Sequence, residues 1–369
     1  MNNSVDKQYL KFLKHILDKG TVKSDRTGTG TISIFDYSMR FNMDEGFPLL
    51  TSKKMFTKAV IVELIWFLNG DTNIKYLVDN GCNIWNGDCY KNYLKHFEPE
   101  KFPNYVDVNP QSLLPLSMED FIDEIKTDDE FAKKWGELGP IYGKQWRRWE
   151  SIDKESFFNS DNDMDSHVHN GGIFYKPKEV DQIQDLIDML RSTPDSRRLL
   201  VNAWNPADLE DMVLPPCHYG FQCYTTVMSF EERVERWVKS IGKDISYGSD
   251  MTDKKLDELN FPKRKLDLKW HQRSCDVPLG IPFNIASYAF LLHLLAREVN
   301  MIPHELIFSG GDCHIYLNQV DGIKKQLDNE TYKLPILELS NTSIFDIKYD
   351  DFKIIDYKSS DTINLPLSN

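Results

Sequence analysis

Two stretches of this chain constrain its fold most. "TKAVIVELIWFLNG" (57–70) and "FNIASYAFLLHLLAREVN" (283–300) are apolar on nearly every side of a helix. Such a helix has no face to offer water, so it has to be buried all round. Burying two of them takes packed layers, and a chain of 369 residues is long enough to supply them. Alternating patterns supply the other layer. Residues 31–41 read as a strand, and "YGFQCYTTVM" and "KLDLKWHQRSCDV" read as a strand pair. The expected class is α+β, in one large domain or two within 1–369, with a large mixed or antiparallel sheet packed with helices.

Other elements follow from local signals. Leu10, Leu13, Ile16 and Leu17 share a face of a helix over 5–19 that Gly20 ends. "DTNIKYLVDNG" predicts a short helix capped by Asp71 or Thr72 and stopped at Gly81. A helix over 181–192 leads through "PDSRR" into a strand. Three excursions interrupt this plan. Residues 86–137 read as an acidic insertion with some helix, 150–180 as a polar excursion whose stretch "NSDNDMDSHVHNGG" reads as a flexible loop, and 229–264 as a charged detour between paired strands. No repeat is visible.

Charge and cysteine usage narrow the function. The net charge is −13, and the segments 86–137 and 150–181 carry −6 and −5 of it. That balance disfavours generic nucleic-acid binding but leaves room for a local cationic site. The six cysteines, 82, 89, 217, 223, 275 and 313, form no CxxC and suit neither a zinc site nor a disulfide framework. The N-terminus reads as an amphipathic helix rather than a signal peptide, and no run of about 18 apolar residues suggests a membrane span. Reduced thiols in the cytoplasm are expected.

Candidate chemistry gathers in short motifs. A lone cysteine is by default a small buried hydrophobe. Cys217 in "LPPCHYGFQCY" follows two prolines that fix its backbone, and a histidine follows it. Arginines stand in compact motifs: Arg26 in "DRTGTG", Arg197 and Arg198 in "PDSRRLL", Arg273 in "HQRSCD". Guanidinium groups suit phosphate and lower a neighbouring thiol's pKa. "RTGTG" has the look of a phosphate-cradling loop, without a Walker ending. Glu63 lies inside an almost wholly apolar helix, where a carboxylate needs a partner or a catalytic task. Asn284 reads either as an N-cap or as a reader of a base edge. His314 and Tyr316 alternate onto one strand face, as core residues or as a hydroxyl clamp.

Together, "DRTGTGTISIF", "GFPLLTSKK", "VELIWFLNGDTNIKYL", "LGPIYGKQW", "PDSRR", "LPPCH", "QRSCDVPLGIPFNIASYA" and "GGDCHIY" resemble the folate-dependent thymidylate synthase family, in order and from about residue 6 to the C-terminus. The resemblance implies one domain over 1–369 and a mostly antiparallel sheet with an obligate dimer through the sheet face. It implies conversion of dUMP and 5,10-methylenetetrahydrofolate to dTMP and dihydrofolate by a methyltransferase. Catalytic roles would fall to Cys217, which adds to uracil C6, and to Glu63, Tyr142, Asn284, Asp276 and Arg273. dUMP would meet Arg26, Gln272, Arg273, Ser274, Asn284, His314 and Tyr316, with Arg197 and Arg198 donated by the neighbouring subunit. Folate would meet Lys53, Ile84, Trp85, Asp276, Phe283 and Asn369. The folate is a co-substrate that brings its own hydride, so no nicotinamide, flavin or metal is required.

Some positions depart from the family pattern. Phe56 stands where a histidine is common, a second tryptophan after Trp85 is missing, and the chain ends in Asn369 rather than a small apolar residue. The rival reading is a dUMP hydroxymethylase, in which water captures the methylene intermediate; Trp85 would shield that intermediate and argues for methylation. An RNA-binding or regulatory homologue fits poorly with the acid excess and with an intact Cys217.

Overall fold

The computed structural model describes residues 3–25, 27–97, 114–156, 173–242 and 251–368. Along these the order is α1 (Ser4–Lys19), β1 (Thr21–Lys23), β2 (Thr31–Asn42), α2 (Thr57–Leu68), α3 (Lys75–Asp79) and α4 (Asn86–His96). Then follow α5 (Met118–Thr127), α6 (Asp129–Trp135), α7 (Tyr142–Arg147), β3 (Trp149–Ser156), β4 (Ile173–Val180), α8 (Gln182–Ser192), β5 (Leu200–Asn202) and β6 (His218–Val227). The last part is α9 (Phe230–Ile241), α10 (Asp253–Glu258), β7 (Arg264–Asp276), α11 (Gly280–Glu298), β8 (Ile302–Tyr316), α12 (Val320–Leu327), β9 (Ile336–Leu339) and β10 (Phe352–Ile355).

A six-stranded sheet in the order β1-β2-β8-β7-β6-β5 forms the spine. Every neighbouring pair is antiparallel except β7 and β8, which run parallel. Parallel neighbours need a crossover, and the apolar helix α11 is that crossover, packed on both strands. α2 packs on α11 and α7. Trp66, Phe67, Phe290 and Leu291 are all but completely buried between these layers, and each such side chain contributes about 1.5–3 kcal/mol by leaving water. No helix among the described residues is long and apolar enough to cross a membrane.

Local expectations meet physical detail here. α1 does end at Gly20, but Gly20 is not left-handed, with φ −69°. A Cβ there would lie 2.5 Å from the Ile16 carbonyl and 2.5 Å from Ile32 Cγ2, so close packing on β2 selects the glycine. Gly70, with φ +69°, does turn the chain after α2 through the left-handed region. α3 starts later than expected, at Lys75. The Asp71 carboxylate accepts from the Thr72 and Asn73 N–H groups instead of capping it, and Asn73 Oδ1 accepts from Lys75 N–H.

The excursions are more ordered than their composition suggests. Residues 86–137 carry α4, α5 and α6 around an aromatic cluster of Tyr90, Tyr93, Phe121, Phe131 and Trp135. Within 150–180, β3 and β4 pair antiparallel; "NSDNDMDSHVHNGG", the stretch expected to be a loop, lies outside the described residues. The detour at 229–264 holds α9 and α10. Arg233, 3% exposed, clips α9 down by pairing with Asp253 and Asp257 and donating to the carbonyls of Phe261 and Pro262.

α1 packs on β2, α8 on β5 and α11 on β7 and β8. Beyond that covered side, Leu200, Tyr224 and Phe35 stay 50%, 66% and 84% exposed.

Candidate active site

Cys217 sits at the entrance to β6, and the chain around it is held from three sides. Its N–H donates to the Tyr142 hydroxyl at 2.7 Å. Its carbonyl accepts from Arg273 N–H at 2.8 Å. The Arg273 side chain donates from Nε to the Pro216 carbonyl and from Nη2 to the Pro215 carbonyl, both at 2.9 Å, while its guanidinium lies 5.1 Å from the Trp204 ring centre. Prolines cannot donate to a ladder, so this arginine closes the account for their carbonyls. β6 then bulges between His218 and Gly220 against Gln272 and His271 of β7. A bulge re-aims the residues beside it.

A buried aromatic wall backs the cysteine. His218 stacks on Tyr142 with ring centres 4.3 Å apart, and its Nδ1 meets the Tyr288 hydroxyl at 2.9 Å. Burial holds the imidazole down at about 3, so His218 is neutral and no base for the thiol. Burial, then the nearby Cys217 and Tyr288, push the Tyr142 phenol well above its ordinary value, against the pull of the Cys217 N–H. Glu63 finds its partner in Trp85, whose Nε1 donates to Oε1 at 2.8 Å. Burial raises that carboxyl to about 7 despite the hydrogen bond. A group poised there can exchange protons at neutral pH.

The thiol itself corrects an expectation. Cations were expected to dominate and hold a thiolate. Instead burial pushes Cys217 above its usual value; Arg273 pulls it back, and Asp88 and Asp276 add to the rise. Within one chain, desolvation outweighs the arginine that is described there. Arg26 lies outside the described residues. Beside it, the Asp25 carboxylate takes the N–H groups of Thr27 and Gly30.

The β7–β8 edge carries the rest. Asp276 and His314 are register partners. Burial lifts the Asp276 carboxyl, and the Leu279 N–H, His314, Gln319 and Lys53 pull partway back. His314 Nδ1 faces Asp312 at 3.1 Å, and the His314 and Tyr316 rings meet edge to face at 5.2 Å, so the clamp pair does come together. Ser274 is half-buried beside Arg273. Gln272 is 3% exposed; it accepts from Trp270 Nε1 and donates to the Ser274 carbonyl. One N–H and one lone pair of its amide thus shape the strand. Asn284 cannot be an N-cap, because α11 already begins at Gly280. Its Oδ1 shares the Gly280 neighbourhood with Asp276, and its amide has no hydrogen bond among the described residues.

On the folate side, Trp85 packs edge-on against Tyr142 at 6.1 Å, Phe283 is half-buried and Ile84 is 42% exposed. Phe56 stands 56% exposed at the start of α2. Lys53 is turned inward, not toward a ligand's tail as expected: it is 5% exposed and donates to the Pro278 carbonyl at 2.5 Å. Burial lowers it to about 8, with Asp276 opposing. Asn369 lies outside the described residues, but the tail before it is tied down. Gln319 donates to the Pro366 carbonyl at 3.2 Å and to Asp276 Oδ2 at 3.4 Å, and Asn318 donates to Ser368.

Arg197 and Arg198 are exposed and make no side-chain ion pair among the described residues. The Arg197 carbonyl accepts from Gln222. Gln222 is five residues up β6 from Cys217, or about 16 Å along a strand, so the structure does not bring this pair to its own nucleophile. Tyr288, Gln319, Asp312 and Trp204 were missed. Only Asp312 had a signal, an acid two residues before His314 on the same face. The one described group of three that could hold a metal, Asp267, His304 and Glu305, is already engaged: His304 with Asp267, and Glu305 with Arg40.

Comparison with known proteins agrees with this geometry. The family profile described as thymidylate synthase matches residues 7–369. A thymidylate synthase of Listeria monocytogenes (serotype 4a, strain HCC23) is 39% identical over 371 residues, covering 98% of this chain and 99% of the relative. That of Mycoplasma mobile is 41% identical over 358 residues, covering 96% and 97%. This chain therefore belongs to the thymidylate synthase family.

Proposed function

We propose that this chain reductively methylates dUMP to dTMP, with 5,10-methylenetetrahydrofolate as co-substrate. The observation that carries the reading is Cys217 seated between the Tyr142 hydroxyl and Arg273, in one cluster with a Glu63 carboxyl poised at about 7.

The chemistry follows from these groups. The Cys217 sulfur adds to uracil C6, and the electron pair moves through C5 toward O4. Its thiol is held up in the free chain; an arginine set completed by the phosphate and a second subunit would favour the thiolate. Asn284 offers a donor for O4 and an acceptor for N3–H from one amide. Glu63, protonated near neutrality, supplies a proton or an ordered water at O4, where charge develops. Tyr142, pushed up in pKa, keeps its own proton. It acts by orienting the water that receives the C5 proton. Asp312 is partly exposed; its partial burial raises the carboxyl, but hydrogen bonds from Ser33 and His314 hold it below the usual carboxyl range. It takes the His314 Nδ1 proton and leaves Nε2 to accept a sugar hydroxyl.

The residues present fit the folate. Ile84, Phe283 and Trp85 offer apolar and aromatic surface, and Asp276 offers a carboxylate for ring N–H groups. When bound, the folate supplies the one-carbon unit and the hydride. Gln319 links Asp276 to the C-terminal tail, so the tail closes over that side.

The same reading makes the enzyme a homodimer through the uncovered side of the sheet. Exposed Leu200 and Tyr224 supply apolar contact there, and Arg197 and Arg198, without an ion pair among the described residues and remote from their own Cys217, reach the partner's phosphate.

Product analysis tests the whole. Incubation with dUMP and methylenetetrahydrofolate is expected to yield dTMP and dihydrofolate in equal amounts. 5-Hydroxymethyl-dUMP with tetrahydrofolate would overturn the reading in favour of hydroxymethylation.

A further inference from the structure

We propose that Tyr288 is a positioning residue: its hydroxyl locks His218 in the tautomer that carries the proton on Nε2, so that His218 serves the site as a fixed neutral donor. The inference rests on the proposed function for its catalytic consequence, but not for the tautomer itself.

The argument starts from hydrogen-bond accounting. Tyr288 is 2% exposed on α11, and His218 is 9% exposed at the start of β6. The contact between the Tyr288 hydroxyl and His218 Nδ1 is 2.9 Å. Two proton arrangements fit that distance. If Nδ1 carried the proton and donated, the Tyr288 O–H would be left without an acceptor among the described residues, in a buried position. Such an orphaned donor is disfavoured. If Tyr288 donates, the phenol and Nδ1 are both satisfied and the ring proton moves to Nε2. Burial keeps the phenol from ionising and keeps the imidazole neutral, so the donor and acceptor roles cannot exchange through a charged form.

Packing makes the arrangement rigid. Tyr288 is sandwiched against Trp270, ring centres 5.2 Å apart and planes 9° from parallel, with Phe221 on edge at 6.0 Å. His218 in turn meets Tyr288 edge to face at 5.4 Å, stacks on Tyr142 and has Phe67 on edge. Tyr142 holds the Cys217 N–H. A chain of contacts therefore runs from Trp270 in the sheet core through Tyr288 and His218 to the nucleophile's own backbone. Nε2 makes no hydrogen bond among the described residues, so its N–H is the donor this chain leaves over. A neutral N–H can stabilise an oxygen that gains charge without competing for a proton.

The test reads nitrogen directly. Full-length protein labelled with ¹⁵N-histidine is expected to show His218 with a protonated Nε2 and an unprotonated Nδ1, without any ligand; His218→Gln assigns the signal. In Tyr288→Phe the lock is gone, so His218 is expected to move to a mixture of tautomers. kcat for dTMP formation is expected to fall about tenfold to a hundredfold while KM for dUMP stays within about threefold. A wild-type signal with the proton on Nδ1 overturns the proposal, even where the variant fails to fold. So does a variant whose His218 spectrum is unchanged, whatever happens to kcat. Failure of the proposed function would appear separately, as absence of dTMP from the wild-type enzyme.

Discussion

The two ends of the candidate site are built differently. The nucleophile end is finished within one chain. Cys217, Tyr142, His218, Tyr288, Glu63 and Trp85 are tied to one another by hydrogen bonds and ring contacts. The end proposed to take the phosphate is unfinished. Arg273 spends its donors on proline carbonyls, and Arg197 and Arg198 stand exposed without partners among the described residues. The contrast has a physical basis. Neutral groups can be buried and pre-arranged at low cost if their hydrogen bonds are met. Clustered cations repel one another and stay in water until an anion arrives.

The sharpest break of that comparison is Cys217→Ser. Turnover is expected to fall by about 10⁴-fold or more, while dUMP binding changes little, because the phosphate end is left intact. dTMP production beside calorimetric dUMP affinity checks this, and near-normal production would remove Cys217 from its role. Next is Glu63→Gln, which is expected to lower kcat about 10²–10³-fold.

Glu63 also carries a pH signature. Its folded value of about 7 is above the ordinary 4.5. Between those values the unfolded chain is ionised and the folded one still holds the proton. Stability therefore falls as pH rises through that window and levels off above about 7, a loss on the order of 3 kcal/mol. Glu63→Gln removes the loss, so its stability relative to wild type is expected to be greater at pH 8 than at pH 5. Denaturant melts at the two pH values check the sign; equal differences would mean that Glu63 is not held protonated.

Asn284→Asp probes the point where the two ends meet. It is expected to move the dUMP-to-dCMP preference about a hundredfold toward dCMP, since the carboxylate no longer donates to O4. Unchanged discrimination in competition assays would sink the base-reading role. The smallest effect concerns the unfinished end. Arg197→Ala with Arg198→Ala is expected to raise KM for dUMP about 10–100-fold with kcat less affected. Mixed with the Cys217→Ser chain and allowed to exchange subunits, it should regain about a quarter of full-affinity sites, because half the dimers would hold one complete site. No recovery would place the arginines in their own chain's site or nowhere near one.

Legibility differed between the same two regions. Cys217 was readable from the prolines before it and Glu63 from the apolar run around it, whereas Tyr142 came only with the order of the motifs. Glu63 stands out only because α2 is apolar around it. Asn284 could be a cap or a reader until α11 was seen to start four residues earlier. The inward turn of Lys53 was not foreseen because sequence does not show which way a side chain turns. Tyr288 gave no signal, since a tyrosine in a buried helix is ordinary until His218 is found 2.9 Å away. The excursions misled by composition: charged surfaces hid the aromatic cluster under α4–α6 and the pairing of β3 and β4.

By itself the sequence determined the family, the two buried helices, most strands and the cast of reactive groups, because those depend on local pattern and motif order. The tertiary structure alone decided the proton states and the partners. Desolvation, which depends on everything packed around a group, raises Cys217 and Glu63 and lowers His218. Strand register, which joins residues distant in the chain, brings Asp276 to His314 and lifts Arg197 away from Cys217.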